Sequence, residues 1–279
     1  MDFQFIPFEP PEVLGRFLRR SFFARGRIPY RSDKILPNGL AVAIFNLGQP
    51  HRLGKSAAPE DNPAFAHSWL HGLQTTPLFN TPGGETHVLG LLFEPIGFHA
   101  LFGSDMRALT EQTLDAREVL PPDFLEQVEA ALGSADDERG HAALHDALAT
   151  RRPAALPTWL WDLYEAIKSE RGQLKLSEAY AASGRSARHV NARFKIATGV
   201  SPKVLCRIYR LQALLEEIEP TEPVNWTALA HRFAFYDQAH FNREFRAFSG
   251  LHPTQYLDQR RRDLPNLGKG ESVSFAPQR

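Results

Sequence analysis

Apolar residues along this chain follow two different rhythms. In the first 120 residues they come as short, β-branched runs bounded by turn residues. Leu40-Ala-Val-Ala-Ile-Phe-Asn46 and Thr86-His-Val-Leu-Gly-Leu-Leu-Phe93 predict strands, and Pro37-Asn-Gly39 and Thr81-Pro-Gly-Gly84 supply the turns. Ser68-Trp-Leu-His-Gly-Leu73 is a weaker run of the same kind. From about Pro122 the spacing becomes helical, in Asp123 to Leu132 and again in Glu138 to Thr150. Arg151-Arg-Pro-Ala-Ala-Leu-Pro157 then breaks the pattern, because its two prolines interrupt helices on both sides.

Beyond that boundary nearly every segment predicts a helix. One runs from about Thr158 through Arg171, with Trp159, Leu160, Leu163 and Ile167 on one face. Leu176 to Ala182 is short and ends at Ser183-Gly184. Ser186 is a good N-cap for a helix that stops at Gly199. Ser201-Pro202 starts a long helix to about Ile218 that buries Val204, Leu205, Ile208, Leu211, Leu214 and Leu215. Thr227 to Phe233 is short again. Asp237 caps a helix through Phe248, Gly250 stops it, and Pro253 starts a last helix through about Arg262. The fold class is α+β: a sheet-rich unit over 1–121, a helical linker region over 122–157, an all-α unit over 158–263 and a flexible polar tail over 264–279.

The all-α unit contains a repeat. Ala179, His189, Asn191, Phe194, Gly199 and Pro202 recur as Ala230, His240, Asn242, Phe245, Gly250 and Pro253, always 51 residues later and without a gap. Lys195 becomes Arg246 at the same offset. Each copy is a short helix, a turn of three to four residues and a second helix, which is the helix-turn-helix plan. Ala179, Val190 and Phe194 should pack inward in the first copy, and Leu229, Ala230, Phe233, Phe241 and Phe245 in the second. The remaining face carries Ala187, Arg188, Asn191, Ala192 and Lys195 in one copy and Gln238, Ala239, Asn242, Arg243 and Arg246 in the other. Arg, Gln and Asn present donor and acceptor pairs that match guanine and adenine edges. Lys195 and Arg246 sit late in their helices and suit phosphate. His189 and His240 can either touch phosphate or pack on a neighbouring helix. A generic helical-hairpin array is the competing reading, but such arrays need three or more copies to bury a continuous core.

Charge supports a polyanionic partner for this half. The formal net charge is zero. It divides into 14 Lys+Arg against 19 Asp+Glu up to Thr158, and 16 against 12 from Trp159 to Asp263. No apolar run approaches the ~18 residues of a membrane span. The N-terminus has no basic segment followed by an apolar stretch, so no signal peptide is expected and the cytoplasm is the expected compartment. Cys206 is the only cysteine, which excludes an intrachain disulfide. It lies within the long helix, where a buried structural role is expected. That also argues against an alkyl-transfer domain with reactive cysteines.

Phe235 to Tyr256 resembles the C-terminal signature of AraC/XylS-type transcriptional regulators, and Ser186 to Pro202 is similar to that family's first motif. The resemblance covers about 90 residues, from Lys175 to Arg261. It implies a seven-helix domain whose two recognition helices face adjacent major grooves of double-stranded DNA. By position, Arg188, Asn191 and Ala192 match base-reading positions in copy one, with Ser186 and Ala187 at the start of that helix. Gln238, Ala239 and Arg243 match them in copy two. The chain departs from the family at Ala192, where Arg is usual, and at Ala234, where Gly is usual. For the first half the resemblance implies a sensor or dimerisation domain, with a cupin-like barrel as the nearest analogy. It implies an activator-type regulator with a small-molecule effector, RNA polymerase and a second copy of the chain as candidate partners. His51, His67, His71, His87 and His99 raise a metal, but only His67 and His71 have a spacing that would share a strand face, and no metal or other cofactor is expected. The alternative function is a metal-dependent cupin-like enzyme fused to a helical domain.

Overall fold

The computed structural model describes residues 3–28, 31–132, 137–263 and 275–278. The first half is built on two antiparallel sheets. One contains β1 (Gln4–Phe8), β2 (Leu18–Gly26), β4 (Ala41–Asn46), β7 (Trp69–His71), β9 (Thr86–Phe93) and β10 (Thr113–Asp115), in the order β1-β2-β9-β4-β7-β10. The other contains β3 (Ser32–Ile35), β5 (His51–Gly54), β6 (Ala64–Phe65), β8 (Leu78–Pro82) and β11 (Phe275–Gln278), in the order β11-β3-β8-β5-β6.

The continuous apolar runs of β4 and β9 have a direct cause. Ala41, Ala43 and Phe45 belong to one core, together with Leu89, Leu91 and Phe93. Val42, Ile44 and Val88 belong to another on the opposite face. A central strand covered on both faces reads as near-continuous hydrophobic sequence. The outer cover consists of α1 (Pro95–Phe102), α2 (Met106–Leu109), α3 (Ala116–Val119), α4 (Pro122–Leu132) and α5 (Asp137–Ala149). Phe124, Val128, Leu144 and Leu148 enter the same core as β4 and β9. The helices of residues 122–149 are therefore a third layer of the first unit. Buried Ser21 of β2 ties α5 down, bonding to His141 and to His145 Nε2 (3.1 Å).

The second unit has seven helices among the described residues: α6 (Thr158–Ser169), α7 (Leu176–Ala182), α8 (Ala187–Thr198), α9 (Pro202–Glu216), α10 (Trp226–Arg232), α11 (Gln238–Ser249) and α12 (Pro253–Asp263). The boundaries of α8, α9 and α11 follow the capping residues read from the sequence, whereas α6 starts after Pro157 without a side-chain cap and ends at Ser169, short of the expected Arg171; Asn225 is a further N-cap, accepting from Ala228 N–H at 3.0 Å. α9 ends two residues before Ile218. Of its expected buried residues, Val204 is only half-buried. Leu36, Leu73, Ile96 and Ala100 of the first unit join this helical core, so the two units share packing. In the tail, Phe275–Gln278 pair with β3 as an edge strand. The rest of the segment expected to be flexible, 264–274 and 279, lies outside the described residues.

Candidate nucleic-acid interface

The two copies of the repeat are built alike. Ser186 Oγ accepts from His189 N–H at 3.3 Å, and Asp237 Oδ1 from His240 N–H at 2.6 Å. Gly199 (φ 88°) and Gly250 (φ 69°) close α8 and α11 in the left-handed region. Val190, Phe194, Phe241 and Phe245 are buried. Thr198 and Ser249 form another equivalent pair that the motif comparison missed. Each buried hydroxyl donates back one turn, to Phe194 O (2.9 Å) and Phe245 O (2.7 Å), and so satisfies a polar group at the helix end.

The expected reading faces divide into two sets. Ala187, Arg188, Ala192 and Lys195 are exposed on α8, as are Gln238, Ala239, Arg243 and Arg246 on α11. Asn191 and Asn242 are half-buried. Asn191 Nδ2 donates to Ala187 O at 2.8 Å and to the Tyr180 hydroxyl at 3.4 Å, which fastens α8 to α7. Gln238 accepts from the Thr227 hydroxyl at 3.0 Å, so α10 orients it. The three positions i, i+4 and i+7 of the exposed stripe read Arg188-Ala192-Lys195 on α8 and Ala239-Arg243-Arg246 on α11. The arginine sits one helical turn later in the second copy, a shift of about 6 Å along the axis.

The histidines pack. His189 lies against Trp159, with ring centroids 5.9 Å apart. His240 lies against Phe235 and accepts from Tyr236 N–H at 3.4 Å. Tyr236 itself is 87% exposed beside the start of α11, an aromatic at the candidate interface that the pattern did not single out. Glu244 pairs with Arg207 at 2.5 and 2.8 Å and braces α11 on α9.

Ala234, where the resemblance calls for glycine, has φ 53°. A Cβ in the left-handed region costs about 1–2 kcal/mol, partly offset by the greater freedom glycine loses on folding. Ala234 is exposed, so its methyl contributes no packing. Ala234→Gly should therefore stabilise the fold by about 0.5–1 kcal/mol. A urea midpoint that stays put or falls would show that the turn carries no strain.

The first unit touches both copies at the equivalent glycine. A Cβ on Gly199 would run into Met106 and Thr110, and one on Gly250 would approach Lys34 Nζ at 3.2 Å. Between the units lies Glu94, fully buried. Its carboxylate accepts from Arg19 Nε (2.8 Å), Lys168 Nζ (2.7 Å) and the Tyr164 hydroxyl (2.5 Å). Burial alone would raise its pKa, but Arg19 and then Lys168 outweigh that and hold it down at about 2. Gln212 of α9 also crosses the boundary, donating to Pro37 O at 2.5 Å.

A cavity of about 520 Å³ lies inside the two-sheet unit, and Lys168, Arg171, Tyr209 and Gln212 of the helical unit complete its wall. His51 and His71 face it, whereas His67 is exposed at the surface. Among the described residues no group of three or more His, Cys, Asp or Glu side chains could hold a metal ion. Among the same residues no helix is long and apolar enough to cross a membrane. Cys206 is buried, and burial pushes its thiol up to about 11.

The chain is similar in structure to ToxT from Vibrio cholerae (9% identity over 92% of this chain and 98% of that one, TM-score 0.44). It is also similar to unsaturated fatty acid bound wild-type ToxT from strain SCE256 of that organism (10% identity, 92% and 94% covered, TM-score 0.42). The AraC-like transcriptional activator CuxR is more distant (13% identity, 75% and 86% covered, TM-score 0.25). No curated protein matches the chain by sequence. A domain of unknown function (DUF6597) matches residues 7–115, and a helix-turn-helix domain matches residues 180–259. The residues matched by that helix-turn-helix domain include both capped copies of the repeat, on α8 and α11.

Proposed function

We propose that the chain reads a specific duplex sequence through the exposed stripes of α8 and α11, and that the cavity of the first unit receives a small-molecule effector. The observation that carries the DNA reading is the pair of register-equivalent stripes. Each lies on a helix whose opposite face is buried, and each offers arginine at a different turn. Arg188 and Arg243 are the proposed base readers, with Gln238 beside them. Ala187, Ala192 and Ala239 let the backbone approach the groove, where an alanine methyl can meet a thymine methyl. Lys195, Arg246 and the Ser186 end of α8 hold phosphate. Asn191 acts from inside, holding α8 on α7, and half-buried Asn242 takes the equivalent place on α11. In this reading the protein works where the DNA is, in the cytoplasm of its cell. RNA polymerase is then the partner for activation, and a second copy binds a neighbouring site.

Selection from a randomised duplex pool tests the reading. Arg243→Ala should cost about 1–3 kcal/mol at one base pair and relax the preference there. Lys195→Ala should weaken binding to all sequences and reduce the slope of log affinity against log salt by about 1. An unchanged preference in Arg243→Ala, or a sequence-selective loss in Lys195→Ala, would reverse the two roles.

The effector reading rests on the shared wall. A ligand in the cavity touches residues of both units, so it has differential contacts through which to shift their packing. Cavities of this size accept one drug-sized molecule.

A further inference from the structure

The cavity wall specifies more than volume. Its belt is apolar, with Phe22, Val42, Ile44, Leu53 and Val88. Four residues of the same wall each carry a buried polar atom that finds no hydrogen-bond partner within the protein: His51 Nε2, Trp69 Nε1, His71 Nδ1 and Thr86 Oγ1. All four residues are at least nine-tenths buried. Leaving a buried donor or acceptor unmet costs about 1–3 kcal/mol, so four in one cavity mark a place prepared for polar contact.

The tautomer of His51 follows from its neighbours. Asn80 Nδ2 donates to Asp33 Oδ2 at 3.2 Å, which turns Asn80 Oδ1 toward His51 Nδ1 at 2.8 Å. His51 Nδ1 must therefore carry the proton. Burial lowers the pKa of His51, so its ring is neutral at pH 7 and Nε2 is a bare acceptor. The Trp69 indole N–H can only donate. The two rings stand 5.2 Å apart, centroid to centroid, so one small polar group can address both. His71 is also neutral, lowered to about 4 chiefly by burial.

The cations of the wall are already engaged. Arg19 and Lys168 are paired with Glu94, Arg20 with Glu9 at 3.3 Å, and Arg171 with Glu216 and Glu217. Asp33 and Glu216 add carboxylates to the lining. A ligand carboxylate would meet cations that already hold carboxylate partners, Glu216 among them, and the further negative charge of Asp33.

We propose that this cavity selects a compact, uncharged, largely apolar molecule with a hydroxyl-type head that donates to His51 Nε2 and accepts from the Trp69 N–H. The proposal rests on the effector reading above, and its test separates the two. Full-length protein is titrated calorimetrically at pH 7.5 with three probes of one shape: 4-propylphenol, propylbenzene and 4-propylbenzoate. The phenol should bind about tenfold or more tighter than propylbenzene, the worth of one good hydrogen bond. The benzoate should bind most weakly. In Trp69→Phe, which keeps a ring and deletes the donor, the phenol should lose most of its advantage while propylbenzene binds as before. If that variant fails to fold, the ranking of the three probes on the unaltered chain decides alone. Equal binding of phenol and propylbenzene, or a benzoate that matches the phenol, overturns the head-group assignment and leaves the cavity as an effector site. No binding of any probe overturns both, without touching the DNA reading.

Discussion

Glu94→Gln should destabilise the protein by about 3 kcal/mol and loosen the helical unit from the two-sheet unit. A buried ion pair broken on one side costs about 3–5 kcal/mol, and the lower end applies because Arg19 and Lys168 each keep about a third of their side chain in water. The substitution keeps the shape and removes the charge, leaving both cations facing a neutral amide. The pH dependence gives a second readout. The folded carboxyl sits near 2, below its ordinary value of 4.5. Its contribution is therefore complete above about pH 4.5 and is lost as pH falls from there to 2, about 3 kcal/mol over the window. Glu94→Gln should be flatter than the unaltered chain across that range in urea titrations. Parallel curves would show that the carboxylate does not hold the units together. Because Glu94 lies next to the cavity wall formed by Lys168 and Tyr209, the variant should also change how a bound effector alters DNA affinity.

Phe245→Ala should cost about 3–5 kcal/mol, the range for deleting a fully enclosed aromatic. Phe245 is completely buried and meets Tyr256, Phe241 and Trp226 at ring-centroid distances of 5.5, 5.6 and 6.3 Å. Those rings come from α10, α11 and α12, so one side chain holds the whole second copy together. Its loss frees α11 to tilt, and Arg243 and Arg246 tilt with it. Specific duplex binding should fall further than binding to unrelated sequence, because phosphate contacts tolerate misplacement that base contacts do not. Denaturant unfolding and duplex titration measure the two effects. A cost under about 2 kcal/mol would mean that the three neighbouring rings collapse into the gap.

Much of the helical unit was legible in the chain. Its caps act through neighbouring backbone, so Ser186, Asp237, Gly199 and Gly250 announce helix ends without reference to the rest of the fold. The 51-residue repeat exposed the buried phenylalanines and the polar stripe together, because a helix buries positions at a spacing its own geometry sets. The same logic located β4 and β9, whose apolar runs stand out because both faces are covered. It missed β1, β2, β3, β5 and β8, whose residues alternate between cavity, solvent and sheet partners too irregularly for a clear rhythm.

What the sequence by itself determined is therefore the double helix-turn-helix plan, its boundaries and the residues that differ between its copies. Only the tertiary structure decided that Asn191 bonds to Tyr180, that the helices after Pro122 cover a sheet, that Glu94 gathers two cations from different units, and that His51 and Trp69, each with an unmet nitrogen, line one cavity. The reason is range. Capping and helical periodicity are settled within a few residues, whereas a buried charge or an orphaned nitrogen takes its meaning from partners tens of residues away, and no local pattern records them.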